Sequence, residues 1–277
     1  MTKIALIGAA GSMGTRAWNS LKDDPDYTLL PVESAQGQEV LKERGIDPVP
    51  QDDAVSQADV VLMTVPDILV GTIAEGIVPK MATGTMLICL DPAAPYAGEL
   101  PDRDDVTYFV THPAHPPVFN DEVDQEARRD FFGNGQAKQA IVNALVQGSE
   151  GDYAKGEAIA AKTFRPILRS HRVTLEQMAM LEPAMSETVA ATCITVLREA
   201  MDEAISKGVP AQAAKDFMMG HINIELAIVF DEIDWEFSGG AKKAIEEAKD
   251  VLFKPDWRKV FEREHLKESV NKIVGKG

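Results

Sequence analysis

A glycine-rich turn close to the N-terminus constrains this chain more than any other feature. Residues 4–7 form a short apolar run of the kind found in buried parallel strands. Glycines follow at three-residue steps, at Gly8, Gly11 and Gly14, and residues 15–22 have the pattern of a helix. Glycine permits a tight turn and a close approach of pyrophosphate, to which the helix N-terminus offers N–H donors. The segment therefore predicts a dinucleotide-binding strand–turn–helix unit.

An acidic residue at the end of the second predicted strand indicates which dinucleotide binds. Glu33 ends the strand at residues 27–33, about 20 residues after the turn. A carboxylate there accepts hydrogen bonds from ribose hydroxyls and repels a 2′-phosphate, which favours NAD over NADP. Another predicted strand, residues 60–65, ends at the crevice where such sheets bind ligands. The predicted cofactor contacts are Gly8, Ala10, Gly11, Ser12, Met13, Gly14, Glu33, Pro66 and Asp67.

Charge and composition exclude several classes of partner. The 277 residues carry a net charge of −16, which argues against binding to nucleic acid or to an anionic membrane. The chain has no run of 18 apolar residues and no room for a signal peptide before the first strand. Cys89 and Cys193 do not make a disulfide framework, so we expect a cytoplasmic protein.

Strand and helix patterns alternate as far as residue 172, and only helical patterns follow. This predicts an α/β fold, with a Rossmann-type, doubly wound and mostly parallel sheet followed by an all-helical C-terminal domain. The expected domains are an NAD-binding domain, residues 1–172, and a helical substrate or dimerisation domain, residues 173–277. A capping box opens a helix expected over residues 175–207, with a kink at Pro183. A helix of this length in an enzyme often packs against its twin, which predicts a homodimer.

Two histidines follow the strand predicted at residues 106–111. His112 and His115 lie three residues apart in the segment HPAHPP, and the prolines restrict its backbone. A neutral imidazole can act as a base, an acid or a metal ligand. The alternative is that both histidines are structural and bond to backbone groups. We take His112 and His115 as candidate catalytic residues.

A carboxylate on an apolar helix face is the third candidate catalytic residue. Glu182 and Ser186 are four residues apart beside Met178, Met185 and Val189. Burying a carboxylate is costly unless it is paired, so Glu182 is either functional or a surface residue. With His112 it could act in proton transfer, or it could hold a divalent metal such as Zn with water completing the shell.

Two further groups of polar residues have both functional and structural interpretations. The basic cluster of Arg169, His171 and Arg172, at the end of the last predicted strand, could bind a substrate carboxylate or be a solvated strand end. His221 and Glu225 could form a second functional pair, or an ordinary contact within one helix.

Several motifs together resemble a known group of dehydrogenases. The glycine turn and the strand that leads into His112 resemble the 6-phosphogluconate, prephenate and ketol-acid reductoisomerase superfamily. GxxGSMG, THPxHPPVFNDE, DFFG, LEPAMSETVAATC and HINIELAIVF are similar to the phosphogluconate dehydrogenase C-terminal-like family, whose characterised members are D-apionate oxidoisomerases. The similarity runs nearly the whole chain. It differs from the wider superfamily at residues 186–188, where the β-hydroxyacid dehydrogenases have a Lys-x-x-x-Asn pair.

The resemblance implies an NAD-dependent oxidation of D-apionate, a small sugar acid, coupled to migration of a carbon substituent to give 3-oxo-isoapionate. A simple or decarboxylating β-hydroxyacid dehydrogenase is an alternative on the same fold. A non-catalytic NAD-binding sensor is another, although the two histidines between prolines argue against it.

Overall fold

Seven strands form a single sheet in the order β2-β1-β3-β4-β5-β6-β7. The computed structural model describes residues 1–276. Strands β1 to β5 are parallel wherever they pair, β6 is antiparallel to β5, and β7 is parallel to β6. This confirms the predicted doubly wound, mostly parallel sheet. The strands are β1 Thr2–Ile7, β2 Tyr27–Val32, β3 Val60–Met63, β4 Met86–Cys89, β5 Thr107–Pro113, β6 Gln139–Gln147 and β7 Ile167–Arg172.

Helices connect the strands and make up almost all of the chain after β7. No helix in the described part of the chain is long and apolar enough to cross a membrane. The α-helices are α1 Ser12–Leu21, α2 Ala35–Glu43, α3 Gln51–Gln57, α4 Asp67–Ile77, α5 Ala93–Tyr96, α6 Gln125–Arg128, α7 Glu150–Thr163, α8 Leu175–Ala179, α9 Thr192–Ser206, α10 Ala211–Val229, α11 Gly239–Leu252 and α12 Arg263–Ile273. Short 3₁₀ segments cover Val78–Lys80 and Trp257–Phe261, and a π-helix covers Met180–Ala191.

The core lies on both faces of the sheet, which explains the unbroken apolar run in β1. Ala5 and Ile7 belong to one buried cluster with residues of α4, whereas Ile4 and Leu6 belong to another with residues of α1. Successive side chains of a strand point to opposite faces, so each member of the run meets a different layer of helices.

The bounds of β5, and both the bounds and the direction of β7, differ from those expected from the sequence. His112 and Pro113 belong to β5, and residues 170–172 belong to β7. Because β6 reverses the chain direction, β7 runs antiparallel to β1–β5 and does not end at their carboxyl edge. The expectation that the whole basic cluster ends a strand at the crevice is therefore wrong. An apolar pattern predicts a strand but not its direction.

The helix expected at residues 175–207 consists of three segments, α8, the π-helix and α9. The predicted capping box is present, since the hydroxyl of Thr174 accepts from the N–H of Gln177 and the Gln177 side chain accepts from the N–H of Thr174. Pro183 lies inside the π-helix. Proline has no N–H to donate, and the wider i→i+5 turns of a π-helix accommodate this loss.

The chain forms two compact units. The first, the sheet unit, contains residues 1–183 and residues 266–276, and Val270 and Val274 of the second stretch lie in its core. The second, the helical unit, is Ala184–His265. These units differ from the expected domains 1–172 and 173–277 in where the division falls and in the return of the C-terminal segment to the sheet.

Candidate active site

The glycine turn between β1 and α1 leaves backbone donors open to an anion. Gly8 has a φ of +85°, and a Cβ there would lie 2.9 Å from the carbonyl oxygen of Thr64. A Cβ on Gly14 would collide with the carbonyl oxygen of Gly8. Gly11 precedes α1, and neither a capping side chain nor an acidic residue occupies its first turn. The first N–H groups of α1 are therefore available to a pyrophosphate.

Glu33 lies beside this turn at the end of β2. Its Oε1 accepts from the N–H of Ala10 at 2.9 Å, and its Oε2 accepts from the N–H of Ser34 at 2.9 Å. A cavity of about 320 Å³ opens here between the ends of β1, β2 and β3. It combines glycine backbone, one carboxylate and apolar walls, which fits the pyrophosphate, ribose and adenine of NAD. Its lining includes Gly8, Gly11, Glu33, Val65, Pro66 and Leu69.

The remaining predicted cofactor residues lie in three different settings. Ser12 is the first residue of α1, directly after the N-cap Gly11. The side chain of Met13 is partly buried and packs against the buried cluster that contains Phe164. Asp67 begins α4 and interacts electrostatically with His112, further along the crevice.

The structure brings together His112 and Glu182, which are far apart in the sequence. The Nε2 of His112 lies 3.4 Å from the Oε2 of Glu182, and about a fifth of each side chain is exposed. Met178, which is completely buried in the core under this face of the sheet, fixes α8 just before Glu182. The pair thus lies at the end of β5 and remains accessible from the crevice.

A backbone carbonyl decides which nitrogen of His112 carries the proton. The Nδ1 of His112 lies 2.8 Å from the carbonyl oxygen of Leu90, which can only accept a hydrogen bond. In the neutral ring the proton is therefore on Nδ1, and Nε2 presents its lone pair toward Glu182. A lone pair and a carboxylate oxygen at this distance repel each other unless a proton or another cation lies between them. A proton or another cation between these two atoms would interact favourably with both.

Two aspartates extend this group of charges. The Oδ2 of Asp91, just after β4, lies 3.8 Å from the Nδ1 of His112. Burial raises the pKa of Asp67 to about 6, with further increases from the charges of Asp91 and Glu182 and a decrease from His112. Like charges in a partly buried site disfavour one another's ionised forms. Three carboxyl groups thus interact with one imidazole, two of them after neighbouring strands and the third, Glu182, in the π-helix.

The predicted metal site stays a prediction. Among residues 1–276, no three His, Cys, Asp or Glu side chains are placed to hold one metal ion. His112 and Glu182 supply two donors, whereas a resident zinc ion takes three or four protein ligands. The role of the pair, in proton transfer or in metal binding, therefore stays a prediction.

His115 is anchored differently from His112. Its backbone has a φ of +59°, and its Nδ1 lies 3.0 Å from the carbonyl oxygen of Phe132. The buried Arg16 donates to the same carbonyl at 3.2 Å. Within residues 1–276, His115 makes no hydrogen bond or ion pair with His112 or Glu182. A role for His115 in catalysis stays a prediction.

Sequence reasoning missed the loop that holds His115. Asp130 accepts hydrogen bonds from four backbone N–H groups and thereby shapes the loop that carries Phe132. These bonds lower the pKa of Asp130. The aspartate and the glycines of DFFGNG were the available signal, because such residues form tight loops. The four N–H donors belong to Gly133, Asn134, Gln136 and Ala137.

The other polar candidates from the sequence lie away from the pair of His112 and Glu182, each in its own environment. Arg172 makes a two-pronged ion pair with Glu150, at 2.6 and 2.7 Å. In the helical unit, the Nδ1 of His221 lies 2.9 Å from the carbonyl oxygen of Phe217, and the two rings stack. Ser186 belongs to the helical unit and is exposed. The ring of His221 thus bonds to the backbone of its own helix, and a functional role for His221 and Glu225 stays a prediction.

Comparisons with known proteins agree with this architecture. Residues 1–117 match the model for the acetohydroxy acid isomeroreductase NADPH-binding domain, and residues 120–274 match that for the phosphogluconate dehydrogenase (decarboxylating) C-terminal domain. The D-apionate oxidoisomerase of Cupriavidus necator is 51% identical over 98% of this chain and 99% of its own. The D-apionate oxidoisomerase of Rhizobium rhizogenes is 49% identical over 99% of this chain and all of its own.

One solved structure is similar over the whole chain. It is a semialdehyde dehydrogenase NAD-binding protein from Cupriavidus necator in complex with calcium and NAD. It has a TM-score of 0.95 and 51% identity, and 99% of each chain is covered. Fold and site together define a dehydrogenase with a Rossmann-type dinucleotide domain and a helical C-terminal part. Within that class, the chain belongs to the D-apionate oxidoisomerase family.

Proposed function

We propose that this chain is an NAD-dependent D-apionate oxidoisomerase of carbohydrate catabolism, which converts D-apionate into 3-oxo-isoapionate with formation of NADH. The observation that carries the chemistry is the 3.4 Å approach of the His112 Nε2 to Glu182, at the same sheet edge as the cofactor turn. The specific substrate rests on the full-length similarity to two D-apionate oxidoisomerases. The carboxylate of Glu33 favours NAD over NADP.

The oxidation needs a hydride acceptor and a proton acceptor. NAD, when bound, accepts the hydride from the substrate carbon. The chain supplies the proton acceptor, because the carbonyl of Leu90 keeps the proton of His112 on Nδ1 and leaves Nε2 free to take the hydroxyl proton. Glu182 then faces the resulting imidazolium at 3.4 Å and stabilises its charge.

The rearrangement also depends on groups that hold neighbouring substrate oxygens. A carbon substituent migrates with its bonding electrons to the new carbonyl carbon. The adjacent alcohol becomes the ketone, and the proton it loses goes to the oxygen of the former carbonyl, which becomes a hydroxyl. Asp91 and Glu182 can accept hydrogen bonds from hydroxyls, while Asp67, whose pKa is raised to about 6, can donate one when protonated. These carboxyl groups would keep the two reacting oxygens side by side.

An absorbance assay tests this function directly. We expect NADH formation from D-apionate with NAD, much slower reduction of NADP, and 3-oxo-isoapionate as the product in an NMR spectrum. Release of CO₂ or an unrearranged ketone would indicate a simple or decarboxylating β-hydroxyacid dehydrogenase instead. NAD binding without turnover of any branched sugar acid would indicate a sensor. Loss of activity in EDTA and its return on addition of Zn²⁺ would support the predicted metal site.

We further propose that the helical unit pairs with a second copy of itself. The helical unit, Ala184–His265, has 82 residues, of which only three are buried: Ala184, Ala214 and Ala227. Large apolar side chains along α9, α10 and α11 stay exposed, which is unusual for a stable surface. Three of these side chains, together with several charged ones, line an open groove of about 920 Å³. A second helical unit of the same chain would offer equally long apolar helices to cover it.

Ultracentrifugation tests the dimer. We expect wild-type protein to sediment at twice the monomer mass, and the variant Ile194→Glu to shift toward monomer because a carboxylate at this apolar position is costly to bury in the interface. Lys243→Glu, a change at an exposed position of α11 that does not line the groove, is the control and should remain dimeric. A wild-type protein that sediments as a monomer at micromolar concentration would contradict the proposal.

A further inference from the structure

The register of the last three strands divides the basic cluster between the two faces of the sheet. His112 pairs with Val142, and Val142 pairs with His171, so these three side chains lie on one face. Pairing is regular from Arg169 to Arg172, and alternate residues share a face. Arg169 therefore lies on the face of His112, and Arg172 lies on the opposite one.

The contacts of neighbouring residues agree with this division. Val142 packs against the cluster that contains Met178 of α8, the helix that precedes Glu182. On the opposite face, Ser170 bonds to Glu157 of α7. Arg172 bonds to Glu150 of the same helix. Its guanidinium carbon also lies 4.2 Å from the centre of the Tyr153 ring.

Of Arg169 and Arg172, only Arg172 is bonded to other side chains. Arg169 is exposed, and it makes no hydrogen bond, ion pair or ring contact with another residue of the described range 1–276. Two strand spacings, about 10 Å, separate β7 from β5, and Arg169 lies two residues, about 7 Å, along β7 from the position opposite His112, so about 12 Å separates the two backbone positions. A long arginine side chain and a five-carbon acid can together bridge that distance to His112.

We propose that Arg169 binds the carboxylate of the substrate and so sets its orientation; this rests on the proposed function. The carboxyl groups of Asp67, Asp91 and Glu182 surround His112 and repel a further carboxylate. They can accept hydrogen bonds from the hydroxyl groups of the substrate. The hydroxyl-bearing carbons therefore face His112, and the acid group points across β6 to Arg169, where a guanidinium can bind it through two hydrogen bonds.

The experiment compares Arg169→Met with Arg172→Met, a matched control on the same strand but the opposite face. We expect Arg169→Met to raise the KM for D-apionate about 10- to 100-fold, the range expected for a lost charge-assisted hydrogen bond. The KM for NAD and the thermal midpoint should stay at the wild-type values. Arg169→Lys should recover part of the loss. D-apiitol, a neutral polyol without the carboxylate, should react equally slowly with wild type and Arg169→Met.

One outcome would overturn the role of Arg169, and another would overturn the proposed function on which it rests. An equal KM for D-apionate in Arg169→Met and wild type, with wild type active, overturns the role of Arg169 and leaves the proposed function intact. A wild-type protein without turnover overturns the proposed function. In that case, calorimetry of D-apionate binding to the NADH-loaded protein tests whether Arg169 binds the carboxylate. The role of Arg169 is overturned if wild type and Arg169→Met bind D-apionate equally well or if neither binds it.

Discussion

Substitution of His112 by glutamine is expected to lower the kcat for D-apionate oxidation by about 10²- to 10⁴-fold, the usual contribution of a general base. Glutamine can still donate a hydrogen bond to the carbonyl of Leu90, but it has no nitrogen lone pair to take up a proton at the position of Nε2. Steady-state NADH formation measures kcat, and calorimetry measures the NAD dissociation constant. That constant should not change, because His112 does not line the adenosine cavity.

Glu182 and a second histidine complete this test. Glu182→Gln removes the negative charge 3.4 Å from Nε2 and should also lower kcat, without a change in NAD affinity. His221→Gln is the control, because that ring bonds to the backbone of its own helix at Phe217. Turnover of His112→Gln within threefold of the control would remove His112 from the mechanism.

The second large effect is expected at the cofactor turn. A Cβ on Gly14 would collide with the carbonyl oxygen of Gly8 and lie 2.7 Å from the Cα of Ala9, both of which are backbone atoms. Gly14→Ala must therefore shift α1 or the turn, at a cost of about 1–3 kcal/mol of folding free energy. The displaced N–H groups should also weaken NAD binding at least tenfold. Thermal unfolding and NAD titration measure the two effects.

Gly76→Ala is a matched control for this substitution. Gly76 also lies in a helix, α4, but a Cβ there would meet nothing within 4 Å. Alanine is preferred to glycine in a helix, so this variant should gain about 0.4–1 kcal/mol of stability and bind NAD normally. If Gly14→Ala behaved like Gly76→Ala, the close approach of α1 to the turn would not be required for binding.

Local patterns were sufficient for the nucleotide half of the site. The turn at Gly8, Gly11 and Gly14 follows from backbone conformation, and Glu33 follows from its position at a strand end. The capping box at Thr174 could also be predicted from the sequence, because both of its hydrogen bonds join residues three positions apart. The turn and the capping box join residues close in sequence, and Glu33 is recognised from its strand end and its spacing from the turn, so no packing between distant segments is needed to identify them.

Contacts between distant segments could not be read in this way. Glu182 reaches His112 only because Met178 buries α8 against the same face of the sheet. The anchoring of His115 depends on Phe132, whose loop is shaped by hydrogen bonds to Asp130. Pattern and spacing identify the participants, but they do not give the packing that joins them.

By itself the sequence determined the fold class, the cofactor turn and the family, because all three are expressed in local order and in motifs along the chain. The sequence could only suggest that Glu182 acts with His112, and the tertiary structure decided their 3.4 Å approach and the separate positions of Arg169 and Arg172. The physical reason is the reversal of chain direction at β6. It sets the register of β7 against β5, and the register assigns each side chain to one face of the sheet.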